Sequence, residues 1–254
     1  MTLDAAMKSP GPAPLRGLFI AGTDTGVGKT AVASALLRLA WSRRLPLIPF
    51  KPVETGADPV AQDAHRLHRA ANAPVAVGDV CLYPLRLPAA PQAAATAEGV
   101  TISLAAILGR ARHLATLGAG LIVESAGGLL VPYAPSLTGA DLAQALGLPI
   151  LLVARTALGT VNHTALSINE LRQRGLPLAG LLLVDTSPER QPHEASNALL
   201  IEQLTAVRPL GTLPYLADPT PDALANALRQ TLGDATLGRL LDVLHPPQYA
   251  PAVP

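Results

Sequence analysis

The chain has 254 residues, of which 49% are hydrophobic and 15% are charged, and its 19 basic and 18 acidic side chains leave a formal net charge of +1. A chain this apolar can bury a large core, which excludes extensive disorder. The near balance of charge argues against nucleic acid or an anionic membrane as the main partner. Cys81 is the single cysteine, which excludes a disulfide framework and a cysteine-based zinc site.

The two ends of the sequence differ in composition from the rest. A secretory signal needs a basic start followed by about 7–15 apolar residues, whereas residues 1–16 are interrupted by three prolines. No apolar run reaches the roughly 20 residues of a membrane span. We therefore expect a cytoplasmic protein in which residues 17–244 form one domain between flexible tails at 1–16 and 245–254.

Short apolar runs alternate with segments of helical periodicity along the chain. The runs, typical of strands covered on both faces, are 18–21, 47–50, 121–123, 150–154 and 181–184. The helical segments are 30–41, 103–117, 161–174 and 193–204. This alternation predicts a single α/β domain, a mostly parallel sheet with helices on both faces. Between 57 and 117 we expect two helices joined by a Pro/Ala-rich connection at 87–97, with no strand between them.

The first run is followed by a phosphate-binding sequence. Residues 22–30 read GTDTGVGKT and open the first helix, the strand–loop–helix context of a P-loop NTPase. Gly26 and Gly28 let the backbone approach phosphate oxygens, and the helix N-terminus offers them unpaired N–H groups. Lys29 adds a positive charge for the β- and γ-phosphates, and the hydroxyl of Thr30 is suited to bind Mg²⁺.

One position departs from the usual P-loop spacing. The first glycine of that pattern would fall at Thr23, but the chain has it one residue earlier, at Gly22. The Gly-x-Gly-x-x-Gly pattern of dinucleotide-binding loops is absent, and Lys51 stands where such a fold needs an acid for the ribose. These features therefore favour a nucleoside triphosphate site over a dinucleotide site.

Four motifs in this order resemble those of dethiobiotin synthetases. They are GTDTGVGKT at 22–30, KPVETG at 51–56, ESAGG at 124–128 and LGTVNH at 158–163, within a match from about residue 17 to about residue 220. The resemblance implies an ATP- and Mg²⁺-dependent ligase that closes a cyclic urea from 7,8-diaminononanoate and CO₂ (or bicarbonate) to give dethiobiotin in biotin biosynthesis. It also implies a homodimer with the substrate near the subunit interface.

The implied chemistry brings two anions together. One substrate amine takes up CO₂ as a carbamate, which attacks the γ-phosphate to give a carbamic–phosphoric anhydride, and the second amine then displaces phosphate. Such a site needs positive charge more than a strong base. Lys51 follows the second strand, at the edge where open α/β sheets bind ligands, and the resemblance makes Lys51 and Lys29 the catalytic residues.

The resemblance also implies which residues contact each ligand. Those to the nucleotide fall on Gly26, Val27, Gly28, Lys29, Thr30, Ala31, Asp63, Glu124, Ser125, Ala126, Gly127, Val184, Asp185, Pro214, Tyr215 and Leu216. Those to Mg²⁺ fall on Thr30, Asp63 and Glu124, and those to the substrate on Thr25, Thr55, Gly159, Thr160, Val161 and Asn162. The helix start at 159–162 could receive the substrate carboxylate, donated across the dimer; a plain strand-to-helix turn is the alternative.

Two positions depart from the family pattern. Val184 stands where many members have an asparagine that meets adenine, which leaves the base preference open, and Ser125 replaces a glycine.

Two other functions are alternatives to the ligase. A ParA- or MinD-like nucleotide switch would bind DNA or a membrane and carry a second lysine at the loop start, where residues 23–25 read TDT. The ATP-binding half of a corrin-amidating enzyme would need a glutaminase domain with a nucleophilic cysteine.

Overall fold

A computed structural model describes residues 14–242 except 190 and 193. The strands are β1 (Gly17–Gly22), β2 (Leu47–Phe50), β3 (Val53–Thr55), β4 (Tyr83–Leu85), β5 (Gly120–Gly128), β6 (Pro132–Ala134), β7 (Leu137–Thr138), β8 (Ile150–Arg155), β9 (Leu178–Val184) and β10 (Thr212–Leu213). The helices are α1 (Lys29–Ser42), α2 (Gln62–Ala71), α3 (Val77–Val80), α4 (Pro91–Ala97), α5 (Leu104–Ala115), α6 (Gly139–Leu146), α7 (Thr160–Gln173), α8 (Glu194–Thr205) and α9 (Pro221–Asp242). The predicted tails lie almost entirely outside the described residues.

Six strands form the main sheet in the order β10-β9-β8-β1-β5-β2, and every pairing in it is parallel. The five predicted apolar runs lie in β1, β2, β5, β8 and β9, and the two-residue β10 adds the edge strand opposite β2. The α/β expectation is confirmed. Among the described residues, no helix is both long and apolar enough to cross a membrane.

The sheet is covered on both faces because its strands bury alternate side chains in two separate cores. In β1, Leu18 and Ile20 pack in the core that contains α1, α2 and α9, whereas Phe19 and Ala21 pack in the core under α5, α6 and α7. Every residue of β1 is buried, which explains why the strand is a continuous apolar run rather than an alternating one.

The expectation for residues 57–117 is wrong in two respects. The three-residue strand β4 lies there and pairs in parallel with β3, away from the main sheet. The connection at 87–97 contains helix α4. Strands of three residues are too short to give a periodic signal. The buried residues of this pair are Val53 and Glu54 on β3 and Leu85 on β4.

Parallel strands end at one edge of the sheet, so the loops that follow them meet. The P-loop follows β1, Lys51 follows β2 and Asp185 follows β9. The sequence placed Glu124 at the end of its strand; β5 instead continues to Gly128, and Glu124 lies in its middle. The candidate site lies at this edge.

Candidate active site

The P-loop has the backbone geometry that its glycines predict. Gly26 and Gly28 have φ values of 72° and 98°, in the region that favours glycine. A Cβ on Gly28 would also lie 2.7 Å from Cγ1 of Val184. Gly28 is the N-cap of α1, and no described side chain caps that helix start, so its first N–H groups remain available to an anion.

The side chain of Lys29 folds back over the loop, and its position explains why the first glycine of the motif is at Gly22. Its Nζ donates a hydrogen bond of 2.8 Å to the carbonyl of Asp24. A Cβ on Gly22 would lie 2.8 Å from the same Nζ, so a side chain at 22 would collide with the lysine. Burial lowers the pKa of Lys29 to about 8, against the opposing charge of Glu124.

Lys51 lies between two carboxylates that come from different elements. Its Nζ is 2.5 Å from Oε1 of Glu124 on β5 and 3.1 Å from Oδ2 of Asp63 on α2. The hydroxyl of Thr30 donates to the same Glu124 oxygen at 2.8 Å. Strand β5 and helix α1 therefore meet at one buried carboxylate, and helix α2 joins them through Lys51.

Lys51 and Asp63 hold each other in their ionised forms. Burial acts to lower the pKa of Lys51, but the charges of Glu124 and Asp63 outweigh it, and the pKa lies above its ordinary value. Burial acts to raise the pKa of Asp63, but the ammonium of Lys51 outweighs it and holds that pKa below its usual range. Lys51 is therefore a permanent cation at neutral pH.

These residues line one cavity of about 780 Å³. Of the predicted site residues, it is lined by Thr25, Gly26, Gly28, Lys29, Thr30, Ala31, Lys51, Thr55, Asp63, Glu124, Ala126 and Gly127. Both lysines thus face the same space, which is large enough for more than one small ligand.

The donor set around Thr30 suits a hard cation. Two carboxylates, Asp63 and Glu124, and one hydroxyl converge there. Oε2 of Glu124 is buried and has no hydrogen-bond partner among the described residues. The part of the chain that the structure describes has no group of three or more His, Cys, Asp or Glu side chains placed to hold a metal ion, but Mg²⁺ needs only one or two protein carboxylates.

Several predicted residues lie outside this cavity. Val27, Ser125, Val184, Asp185, Pro214, Tyr215, Leu216, Gly159, Thr160, Val161 and Asn162 do not line it. Val184 is buried beneath Gly28. Ser125, predicted to contact the nucleotide, faces away from the cavity because successive strand residues point to opposite faces. Its hydroxyl is buried without a partner among the described residues.

The buried side chain of Asp185 also lies apart from the cavity. Its Oδ1 accepts a hydrogen bond of 2.9 Å from the hydroxyl of Thr156. Pro214 and Tyr215, in contrast, are exposed at the end of β10. The nucleotide residues predicted from the resemblance are thus divided between the cavity and the adjoining half of the sheet edge.

Sequence reasoning missed four contributions to the cavity wall. They are Glu54, Arg66, Val131 and residues 88–91. Glu54 stood inside the KPVETG motif, where its charge and its position next to Thr55 were the available signal. The 88–91 wall had no signal, because Pro and Ala carry no chemistry that a sequence pattern can identify.

Comparisons with known proteins agree with these observations. A family model described as an AAA domain matches residues 16–223. The ATP-dependent dethiobiotin synthetase BioD of Anaeromyxobacter dehalogenans (strain 2CP-C) is 49% identical over 207 residues, covering 80% of this chain and 92% of the relative. The protein of the same name from Anoxybacillus flavithermus (strain DSM 21510 / WK1) is 35% identical over 210 residues, covering 80% and 94%.

A solved structure of the MinC:MinD cell division protein complex of Aquifex aeolicus superposes with a TM-score of 0.52. It covers 91% of this chain and 94% of that one, at 10% identity. At this identity the likeness extends to the fold alone.

Proposed function

The chain belongs to the family of ATP-dependent dethiobiotin synthetases, which form dethiobiotin in biotin biosynthesis, and we propose that it does so in the cavity shared by Lys29 and Lys51. The substrates are 7,8-diaminononanoate, CO₂ and ATP. An amine takes up CO₂ to form a carbamate, and a carbamate oxygen attacks the γ-phosphate with release of ADP. The second amine attacks the carbonyl carbon of the resulting anhydride, phosphate leaves, and the cyclic urea closes.

One observation carries this proposal: two buried ammonium groups line the same cavity. The carbamate and the triphosphate repel each other, so their approach needs positive charge between them. A unit charge 4 Å away is worth roughly 4 kcal/mol at an effective dielectric constant of about 20. Realised in the transition state, that would amount to about three orders of magnitude in rate. The raised pKa of Lys51 keeps this charge in place at neutral pH.

Mg²⁺ would be held by the hydroxyl of Thr30 and the carboxylates of Asp63 and Glu124. The support is the unpartnered, buried Oε2 of Glu124 beside the bonded Oε1. When bound, the ion would supply positive charge that neutralises the triphosphate. Lys29 and the N–H groups at the start of α1 hold the phosphates themselves, together with the backbone around Ala126 and Gly127.

The nucleoside extends from the P-loop towards the ends of β9 and β10. Pro214 and Tyr215 are exposed there, and Leu216 is partly buried behind them. Val184 packs under Gly28 and offers the base no hydrogen bond, which removes the amide contact that would select adenine. The expected base discrimination therefore rests on Asp185 and the 214–216 segment.

The diamino acid binds between Thr25 and Thr55, and its carboxylate is received by a second copy of the chain. Residues 159–162 begin α7 but do not reach the cavity of their own subunit. Leu158 and Leu166 flank this helix start with 79% and 61% of their surfaces exposed, as expected of a face that a partner covers. We therefore propose a cytoplasmic homodimer that completes each site with residues 159–162 of the partner.

The decisive assay supplies purified protein with 7,8-diaminononanoate, ¹³C-labelled bicarbonate, Mg²⁺ and ATP. Mass spectrometry should detect dethiobiotin that carries the label in its ring carbonyl, with ADP formed only when the diamine is present. If ATP is hydrolysed without product, and DNA or lipid vesicles stimulate the hydrolysis, the chain is a ParA- or MinD-like switch instead.

Subunit complementation tests the donated loop. Lys51→Ala and Asn162→Ala should each be nearly inactive, but unfolding and refolding the two together should restore activity, because a mixed dimer keeps one intact site. If the mixture stays as inactive as its parents, each site is built within one subunit.

A further inference from the structure

Helix α2 begins without a capping side chain of its own. The residue before its first turn is Ala61, which offers no side-chain acceptor. A helix start leaves its first N–H groups without intrahelical partners, and Ser, Thr, Asp or Asn normally accepts from them. In this chain the acceptor comes from another element, the short strand β3.

Glu54 of β3 caps α2 with both of its carboxylate oxygens. The N–H of Asp63 donates to Oε1 at 2.9 Å, and the N–H of Ala64 donates to Oε2 at 3.0 Å. Glu54 is 5% exposed. Burial raises its pKa, and the two amide bonds act in the opposite direction. The two-point contact fixes both the position and the rotation of the first turn of α2.

That first turn carries the side chain that contacts the catalytic lysine. Asp63 has its backbone N–H on Glu54 and its Oδ2 3.1 Å from Nζ of Lys51. Lys51 lies only three residues before Glu54 in the chain. The segment that carries Lys51 therefore also holds the helix that carries its partner, so the two charges keep a constant relative position.

We propose that Glu54 is a positioning residue, which sets the place of Asp63 relative to Lys51 by capping α2. It does so through the backbone of α2 rather than by contact with the reacting atoms. The inference rests on the proposed function in one respect, namely that Asp63 takes part in turnover. It predicts that Glu54 acts mainly through Asp63, beside the smaller direct effect of its charge on Lys51.

Glu54→Ala should lower dethiobiotin turnover by about tenfold or more, because the cluster loses its fixed geometry. It should also raise the Mg²⁺ concentration that gives half-maximal turnover and speed hydrogen exchange at the amides of residues 63 and 64. Glu54→Gln, which keeps the side-chain volume and one acceptor oxygen, should give intermediate values. Thermal unfolding of each variant separates these effects from loss of the fold.

A rescue experiment distinguishes capping from contact with the substrate. Ala61→Asp gives α2 a local N-cap, so adding it to Glu54→Ala should recover most of the turnover and restore slow exchange at both amides. If exchange is restored but turnover is not, Glu54 acts on the ligands directly and the inference is overturned.

A double-mutant cycle tests the route through Asp63. In the Asp63→Asn background, Glu54→Ala should change turnover little, since the two substitutions remove the same effect. Independent, multiplying losses would overturn the inference. Ser103→Ala is the matched control, because Ser103 caps α5 by accepting from the N–H of Ala106 and does not line the cavity; its turnover should equal that of the unsubstituted chain.

Failure of the inference and failure of the proposed function have different signatures. If the unsubstituted chain forms no dethiobiotin, the proposed function is wrong. If it forms dethiobiotin and Glu54→Ala is equally active, the function stands and the positioning role is wrong.

Discussion

Two cations of this chain each lie between two carboxylates, but their surroundings differ. Lys51 is buried between Glu124 and Asp63. Arg174, at the end of α7, lies between Glu170 and Asp141 with 28% of its side chain exposed. In both clusters the pKa of the cation is raised. The charge pattern is therefore the same, and only the exposure to water separates them.

The difference shows why charge pairing alone does not identify a catalytic group. Around Arg174, water can solvate whatever the ion pairs leave open, so the cluster mainly joins α6 to α7. Around Lys51, Glu124 retains a buried oxygen without a partner among the described residues. A buried, incompletely satisfied group is unfavourable unless a ligand completes it, and the cavity beside it has room for one.

The sharpest test of the comparison removes the buried cation. Lys51→Ala should lower dethiobiotin turnover by about 100-fold or more, as loss of a preorganised charge does at other transition states. Nucleotide affinity, measured by calorimetry with a non-hydrolysable ATP analogue, should change little because Lys29 and the P-loop remain. Unchanged turnover in a folded Lys51→Ala protein would show that the buried pair is structural, like the exposed one.

A second test uses the pH dependence of nucleotide affinity to titrate Lys29, the other buried lysine of the cavity. The pKa of Lys29 is lowered to about 8, so its ammonium is half lost at about pH 8, nearly complete about one unit below and largely lost about one unit above. The dissociation constant of the ATP analogue should be nearly flat up to about pH 7, begin to rise towards pH 8, and rise by up to about tenfold per pH unit beyond it. Calorimetry between about pH 6.5 and about pH 9.5 measures this.

The control for the pH test is the other lysine. Because the pKa of Lys51 is raised, Lys51→Ala removes no group that titrates in this range, and the rise in the dissociation constant should persist. The rise should move to higher pH, since the charge of Lys51 helps to lower the pKa of Lys29. An affinity that stays constant up to the highest pH would mean that Lys29 remains protonated there and that its burial has less effect than its acidic neighbours.

The sequence predicted the parts of the site that depend on local spacing. The P-loop and Lys51 are each fixed by a strand end and a short motif, and the structure brings them to one cavity. The cap of α2 was not predicted because Glu54 and Ala64 meet only through tertiary packing. The place of Val184 beneath Gly28 likewise depends on two strands that are distant in the sequence.

The smallest expected effect comes from the partly exposed member of the comparison. Arg174→Ala should lower the free energy of unfolding by only about 0.2–1 kcal/mol and leave turnover within about twofold, because ion pairs that solvent reaches are screened by water and salt. Chemical denaturation measures the first quantity and the dethiobiotin assay the second. A loss of turnover comparable to that of Lys51→Ala would show that the Arg174 cluster also takes part in turnover.

A neighbouring substitution shows what the exposed cluster does contribute. Asp141 accepts from Arg174 and also from the N–H and hydroxyl of Thr138, in the capping box of α6. Asp141→Ala should therefore destabilise the fold more than Arg174→Ala, by about 1 kcal/mol for the lost cap, again without a specific loss of turnover. If Arg174→Ala were the more damaging of the two, the ion pair rather than the helix cap would hold this surface together.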